Sequence, residues 1–364
     1  MRILRVAQTL YPEVKGGGAY HVHAMSRDQA AMGHDVTVLT LSRSVDEPHR
    51  ERRNGYDIVR YPVTASALGN DISLGVASFL QDAHSFDVIH AHSHLYFSTN
   101  LAALKRRLGD IPLAITNHGL YSQNAPKWLF DLYLRSIGQW TFNQADVVFC
   151  YTETEKKRIG SFGVDTQISV IANGVDTERF SPEGTESKLI DADGPVVLFV
   201  GRLVSGKRPV VAVKAFAEVL KEYPNAQLYF CGEGPLRDEA KAMTINLGID
   251  TSVTFLKQVP YDEMPAVYRS GDVLVLPSSA EGVPRTILEA LSTNVSVVSS
   301  ELPQIRSVFG DIIRYAPIDD VDRFATQLIE TLTQEKMSGV HPGFCWSQTV
   351  AKTTVAIESL VENG

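Results

Sequence analysis

The chain is predicted to fold as two doubly wound α/β lobes, each a largely parallel sheet flanked by helices. Three observations lead there. At 364 residues the chain exceeds what one hydrophobic core usually serves. Its 44% apolar residues are spread along the whole length rather than gathered in one block. They occur as short Val-, Ile- and Leu-rich runs that alternate with helix-length amphipathic stretches, the pattern of repeated βαβ units.

In the first half the strand-like runs are Ile3 to Ala7, Val36 to Leu41, Val88 to His90, Leu113 to Thr116, Val147 to Tyr151 and Ile168 to Ala172. The second half repeats the theme with Val196 to Gly201, Gln227 to Cys231, Thr254 to Leu256, Val273 to Pro277 and Val295 to Ser299. Between the halves, Asp176 to Pro195 carries Pro182, Gly184, Gly194 and Pro195 with no sustained apolar period, so it reads as a linker. Lobes are therefore expected over 1–174 and 175–345. After a break at His341, Pro342 and Gly343, the stretch Gln348 to Val361 places Val350, Val355, Ile357 and Leu360 at helical spacing. A C-terminal helix over 346–364 is expected to cross back onto the first lobe.

Composition excludes several classes. No apolar run approaches the ~20 residues that a bilayer span needs. The first strand-like run begins so close to Met1 that no export leader is expected. Cys150, Cys231 and Cys345 are odd in number and lack CxxC spacing, so neither disulfides nor structural zinc are predicted, and a reducing cytoplasm fits. A formal net charge of −8 argues against general nucleic-acid binding, which relies on neutralising phosphates.

Ligands of open parallel sheets bind outside the carboxyl ends of the strands, so the loops there are where chemistry is expected. Glu281 and Glu289 lie eight residues apart in PSSAEGVPRTILEAL, just after the run Val273 to Pro277. That spacing puts one carboxylate in the loop, able to accept from sugar hydroxyls, and the other two turns into a helix, able to hold the paired hydroxyls of a ribose. By themselves the two are equally compatible with a helix-capping Glu281 and a solvated Glu289. In VGRLVSGKRP, Arg202 and Lys207 follow the strand Val196 to Gly201 and precede a helix starting near Arg208. Two cations beside a helix N-terminus suit a diphosphate, and would stabilise the charge that a leaving nucleoside diphosphate gains. Ordinary surface cations are the plainer alternative.

Gly16, Gly17 and Gly18 precede a helix expected from about Tyr20 to Met32, and leave the backbone open to a phosphate or a sugar. The GxGxxG spacing of a dinucleotide fingerprint is absent, and a flexible loop reads equally well. His118, in ITNHGL, sits just past the strand Leu113 to Thr116, where imidazole would bond a sugar hydroxyl or position the reacting centre. His90, His92 and His94 alternate as on one strand face; a polar strand end explains them better than a metal site. The DxD pair Asp191 and Asp193 falls at a turn and is not read as a metal site. Asp319, Asp320 and Asp322 fit helix capping.

Taken together, GGGAYHVHAMSRDQAAMGHDVTVLT, DVIHAHSHL, ITNHGL, NGVDTERFSP, VGRLVSGKRP, CGEGPLRDEA and EGVPRTILEAL occur in the order and spacing of one family. The chain resembles the retaining glycosyltransferases of family 4 (glycosyl transferases group 1), whose GT-B fold has two Rossmann-like lobes with a cleft between them. The resemblance implies a sugar donor of the nucleotide-diphosphate type, a UDP- or GDP-sugar. Glu281 with Gly282, Val283, Pro284, Arg285 and Thr286 would hold the donor sugar, Glu289 the ribose, and Arg202 and Lys207 the diphosphate. Gly17 and Gly18 would close over it, His118 would lie near the anomeric carbon, and Val259 would meet the base through its backbone. The resemblance further implies retention of anomeric configuration without a carboxylate nucleophile, no cofactor and no metal.

Two positions depart from the family's usual pattern. Pro284, which lacks an N–H, stands in the donor loop before Arg285, and Asn294 replaces the usual Gly after the helix, where Asn is the next best left-handed cap. A sugar-nucleotide-binding protein without turnover is the alternative function; a dinucleotide oxidoreductase lacks its glycine fingerprint. The acceptor is expected to be a glycan, a lipid-linked sugar or a small molecule. Lys105, Arg106 and Arg107 at a helix end, with Arg50, Arg52 and Arg53, are candidates for peripheral contact with an anionic membrane. Capping of the helix C-terminus is the simpler explanation of the first three.

Overall fold

The computed structural model describes residues 1–14, 16–44, 46–67, 69–120, 127–334 and 344–363. The sequence-predicted break at 341–343 lies outside them. The chain divides into two compact units, one of Met1–Ala172 with Ser347–Gly364 and one of Asn173–Trp346.

The N-terminal unit is built on strands β1 (Arg2–Val6), β2 (Asp35–Ser42), β3 (His49–Arg53), β4 (Tyr56–Pro62), β5 (Ala65–Ala67), β6 (Asn70–Ile72), β7 (Val88–His92), β8 (Leu113–Thr116), β9 (Val147–Cys150) and β10 (Gln167–Val170). Eight of these form one sheet in the order β10-β9-β8-β7-β1-β2-β4-β3, parallel except for the β3–β4 edge pair, while β5 and β6 make a separate hairpin. The helices are α1 (Gly17–Ala31), α2 (Leu74–Gln81), α3 (Phe97–Leu108), α4 (Lys127–Tyr133), which continues through a π-helical turn into α5 (Gln139–Asn143), and α6 (Glu153–Gly160). Side chains of one strand alternate between faces. Leu4 and Val6 accordingly join one core and Ile3 and Ala7 another, so the central strands are apolar on both sides.

The C-terminal unit holds β11 (Val196–Val200), β12 (Gln227–Cys231), β13 (Val253–Leu256), β14 (Val273–Leu276), β15 (Ser296–Ser300) and β16 (Arg314–Ala316), all parallel, in the order β13-β12-β11-β14-β15-β16. Its helices are α7 (Pro209–Glu222), α8 (Arg237–Asn246), α9 (Met264–Arg269), α10 (Arg285–Ser292), α11 (Pro303–Phe309) and α12 (Val321–Leu332). α13 (Trp346–Asn363) follows and packs Ile357 into the core of the N-terminal unit, where Gln29 donates to Thr354 at 2.9 Å. The order of each sheet reverses beside its first strand, between β1 and β7 and between β11 and β14, and such switch points open a crevice at the strand ends.

The sequence-predicted linker is corrected. The stretch 176–195 belongs wholly to the C-terminal unit, and its Phe180 is fully buried against Tyr261 and Tyr268. Turn-rich composition marks the absence of strand and helix, not the absence of core contacts. Capping follows the sequence reading at α12, where Asp320 accepts from Arg323 N at 2.9 Å, and at the end of α10, where Asn294 adopts φ 62°. Among the described residues no helix is long and apolar enough to cross a membrane.

Candidate active site

Two loops of the C-terminal unit meet across its switch point. After β11 the chain turns through Gly201 and a short 3₁₀ segment, Ser205–Lys207, and Arg208 at φ 51° leads into Pro209, the first residue of α7. After β14, Ser279 donates to Gly206 O from both its N (2.9 Å) and its Oγ (3.3 Å). This clasp sets Lys207 Nζ directly on the Glu281 carboxylate, which is only 6% exposed. Gln304 Nε2 fixes the backbone of the same loop by donating to Glu281 O at 2.5 Å. Glu281 therefore does not cap α10; Pro284 occupies that position and leaves the first peptide N–H groups, from Arg285 onward, without a side-chain cap. Around this loop Ser278 Oγ and Thr286 Oγ1 are buried and have no hydrogen-bond partner among the described residues. Orphaned hydroxyls beside a held carboxylate and a helix N-terminus suit a polar, anionic ligand.

A third loop closes the floor. In CGEGP after β12, an added Cβ at Gly232 would lie 2.1 Å from Gly201 O, and one at Gly234 would lie 2.3 Å from Leu203 O. The backbones after β11 and β12 touch, and only glycine permits it. Arg202 is exposed in this region and Val259 lies half-buried in the segment after β13.

Glu289 is buried, not solvated. Its Oε1 accepts from Tyr261 OH at 2.9 Å and its Oε2 from Tyr268 OH at 3.0 Å, with Arg285 Nε at 3.6 Å. Burial raises its pKa above the usual carboxylate range, against the opposing pull of Arg285 and the two hydroxyls. Arg285 turns inward: it donates to Tyr261 OH at 3.0 Å and to Gly174 O at 3.2 Å and lies over the Trp346 ring. Gly282 is half-buried and Val283 buried, its carbonyl 3.5 Å from Asn173 Nδ2.

In the N-terminal unit, α1 begins at Gly17, three residues earlier than the apolar spacing suggests, so Gly17 and Gly18 form its first turn, with Gly16 as N-cap at φ 154°. Glycine's poor helix propensity hides such a start. One turn on, His21 packs edge-on against His118 at 5.1 Å. His118 uses both ring nitrogens locally: Nε2 lies 3.0 Å from His92 Nδ1 and Nδ1 lies 2.7 Å from Tyr151 OH. Both ring nitrogens are thus engaged inside the N-terminal unit, an arrangement that suits the second of the two expected roles, positioning the reacting centre, better than a bond to a sugar hydroxyl. Burial drives the His118 pKa down to about 4, so the ring is neutral. His90 pairs with Thr116 and Arg5, and His94 with Asn117. Among the described residues no group of three or more His, Cys, Asp or Glu is arranged to hold a metal ion.

Of the basic groups singled out for a membrane, Lys105 donates to Gln81 O at 2.8 Å and Arg106 is bidentate on Asp146, both bonds 2.8 Å. Arg53 is bonded to Glu13 and Glu51. Arg50 and Arg107 are exposed. Residues that sequence reasoning missed are Ser278, Tyr261, Tyr268 and Tyr151, while His92 was singled out only as one of three alternating histidines. Ser278 carried a signal, since it lies two residues past the end of β14; the tyrosines carried none, being ordinary aromatic residues.

Comparison with known proteins fits this geometry. Residues 15–179 match the model described as Glycosyltransferase Family 4, and residues 181–339 match Glycosyl transferases group 1. The chain is 26% identical over 304 residues, 79% of its length and 78% of the relative's, to the GDP-mannose-dependent α-(1-6)-phosphatidylinositol monomannoside mannosyltransferase of Mycolicibacterium smegmatis. Its fold is shared with sucrose-phosphate synthase from Thermosynechococcus elongatus (TM-score 0.81, 18% identity, all of both chains covered). It is shared also with Anabaena HepE in complex with UDP-glucose (TM-score 0.73, 18% identity, 100% and 98% covered). With both halves matched in order and the two-unit parallel-sheet fold held in common, the chain belongs to glycosyltransferase family 4, of the GT-B fold, and is a glycosyltransferase.

Proposed function

We propose that the chain is a retaining hexosyltransferase that takes its sugar from a UDP- or GDP-sugar and passes it to a glycan, a lipid-linked sugar or a small-molecule acceptor. The observation that carries the donor half is the Lys207–Glu281 pair, in the segment 278–286 that also carries the unpartnered hydroxyls of Ser278 and Thr286 and the uncapped start of α10. In the bound state Lys207 and Arg202 face the diphosphate, Glu281 and the peptide N–H groups after Pro284 face the sugar, and Glu289 faces the ribose. Val259 meets the base, Gly17 and Gly18 serve the diphosphate, and His118 serves the anomeric carbon. Positive charge held in advance at the leaving diphosphate lowers the barrier without reorganisation. With the diphosphate taking the acceptor proton, no carboxylate nucleophile, metal or cofactor is required.

The reading draws support from the relative whose name specifies GDP-mannose and a phosphatidylinositol monomannoside, and from the neighbour seen with UDP-glucose. The same relative favours a lipid-linked acceptor, with the N-terminal unit meeting the membrane surface through Arg50 and Arg107. Flotation with anionic vesicles, before and after replacing both arginines by serine, tests that contact; no flotation of the unaltered protein removes it. The transfer itself is tested by release of nucleoside diphosphate from each UDP- and GDP-sugar in the presence of sugar and glycolipid acceptors, with the anomeric configuration of the product read by NMR. One donor is expected to turn over with retention; an inverted product overturns the mechanism, and no turnover with any pair favours binding without catalysis.

A further inference from the structure

Three neighbouring strands of the N-terminal unit, β9, β8 and β7, end in two side-chain chains that run side by side. One joins Tyr151 to His118 at 2.7 Å and His118 to His92 at 3.0 Å. The other joins Glu155 to Asn117 at 2.6 Å and Asn117 to His94 at 2.8 Å.

With Glu155 ionised, chemistry fixes the direction of the second chain. Glu155 is the last residue of a capping box opened by Thr152, whose Oγ1 accepts from Glu155 N at 3.0 Å. Its Oε2 accepts from Tyr151 N at 3.0 Å and its Oε1 from Asn117 Nδ2. Asn117 therefore turns its carbonyl to His94, which must donate from Nδ1. The first chain has the same geometry but two possible directions. If Tyr151 donated, the protons would shift along and leave His92 with an N–H on Nε2, an atom that is buried and has no partner among the described residues. A buried N–H without an acceptor is rarer and costlier than a bare lone pair. His92 then carries its proton on Nδ1 and donates to His118 Nε2, and His118, being neutral, carries its own on Nδ1 and donates to the Tyr151 oxygen. Both chains run from β7 towards β9.

Neutrality is built into the surroundings. His118 is faced by His21 from α1, His92 from β7 and Tyr151 after β9, none of them a carboxylate. Behind them Arg5 is fully buried, bonded to Ser26, Gln29 and His90, and the His90 ring lies 4.4 Å from that of His92. The Arg5 cation opposes a positive charge on His90 and His92.

We propose that Tyr151 and His92 are positioning residues for glycosyl transfer: between them they lock His118 as the neutral Nδ1–H tautomer and fix its plane, so that the ring acts by shape and dipole and not as a general base. This rests on the reading of His118 as a residue near the anomeric carbon.

The test separates the two claims. Long-range ¹H–¹⁵N NMR of histidine-labelled protein needs no substrate; it is expected to show His118 with a protonated Nδ1 and a bare Nε2, unchanged from pH 5.5 to 8. Protonation on Nε2, or titration within that range, overturns the proposal. His92→Leu is expected to release the His118 tautomer and to lower kcat on the order of a hundredfold, as displaced catalytic groups do, with donor KM little changed. His92→Asn, whose Nδ2–H stands where the imidazole Nδ1–H stood, is expected to restore most of both. Tyr151→Phe is expected to speed exchange of the His118 Nδ1 proton. A His92→Leu protein that keeps the tautomer and the rate contradicts the proposal. Absence of transfer by the unaltered protein would instead overturn the functional reading and leave the NMR result standing.

Discussion

Lys207 and Glu281, 74 residues apart in sequence, close the loops after β11 and β14 onto one another through a direct ammonium–carboxylate bond. Both are largely buried, so the pair holds Glu281 in place for a ligand while storing a cation beside the start of α10. Removing one partner of such a pair strands the other. Lys207→Ala is expected to destabilise the protein by about 2–5 kcal/mol and to lower turnover by about a hundredfold or more, whereas Arg202→Ala, at an exposed position, lowers turnover with little change in melting temperature. Equal rates for mutant and parent would remove the diphosphate role.

The contact of Gly232 with Gly201 O has a sharp consequence. Gly232→Ala must push apart the backbones after β11 and β12 and also adopt φ 145°, so a loss above about 2 kcal/mol in urea unfolding is expected together with weakened nucleotide binding. Gly206→Ala, with open space around its Cβ, is the control and is expected to melt like the parent. Similar stability for both variants would contradict the close approach.

Glu289 anchors two buried hydroxyls and a guanidinium at once. Glu289→Ala removes the acceptor of both tyrosine hydroxyls and the counter-charge of Arg285, and is expected to cost about 3 kcal/mol or more. Tyr261→Phe spares the core but alters the same carboxylate. If Glu289 holds the ribose, this milder change shifts discrimination between a nucleoside diphosphate and its 2′-deoxy analogue; unaltered discrimination would count against that role.

Stability is expected to fall in acid. Burial lowers the pKa of His94 and His118 to about 4, and of His90 and His92 well below the usual value, whereas each sits near 6.5 in the unfolded chain. Between those limits the unfolded state binds more protons, so the stability present above pH 6.5 is lost as pH falls towards 4. His94 and His118 contribute on the order of 3 kcal/mol each. Glu155, raised to about 7 by burial, acts oppositely, and its share is lost as pH rises from 4.5 to 7. Urea unfolding at pH 7.5, 6 and 5 reads the balance; an unchanged free energy down to pH 5 would refute it.

The sheet strands carrying the site were legible in the sequence because their apolar runs are buried on both faces. β3 and β4 were not, since HRERR and YDIVRYP mix charge into an edge where Arg53 and Arg60 are paired with Glu51. β16 escaped because three residues carry no period. At the site, residue type and strand-end position found Lys207 and Glu281, but not what they bond to. His118 shows the limit most plainly: its place was readable, yet its partners His92 and Tyr151 arrive from two other strands, and only the fold shows that its nitrogens are taken. Composition also misplaced Phe180, whose turn-rich surroundings hid a core side chain.

The most direct measurement is thermal shift of the purified protein against UDP, GDP, ADP and dTDP and their sugar conjugates. A ligand of the folded state stabilises it by about 2.7 kcal/mol at a hundredfold excess over Kd. One nucleoside diphosphate is expected to raise the melting temperature, and the rise, read against each variant's own baseline, is expected to vanish in Lys207→Ala. No shift with any of these ligands at saturating concentration would contradict the assignment of the β11–β14 loops as the donor site.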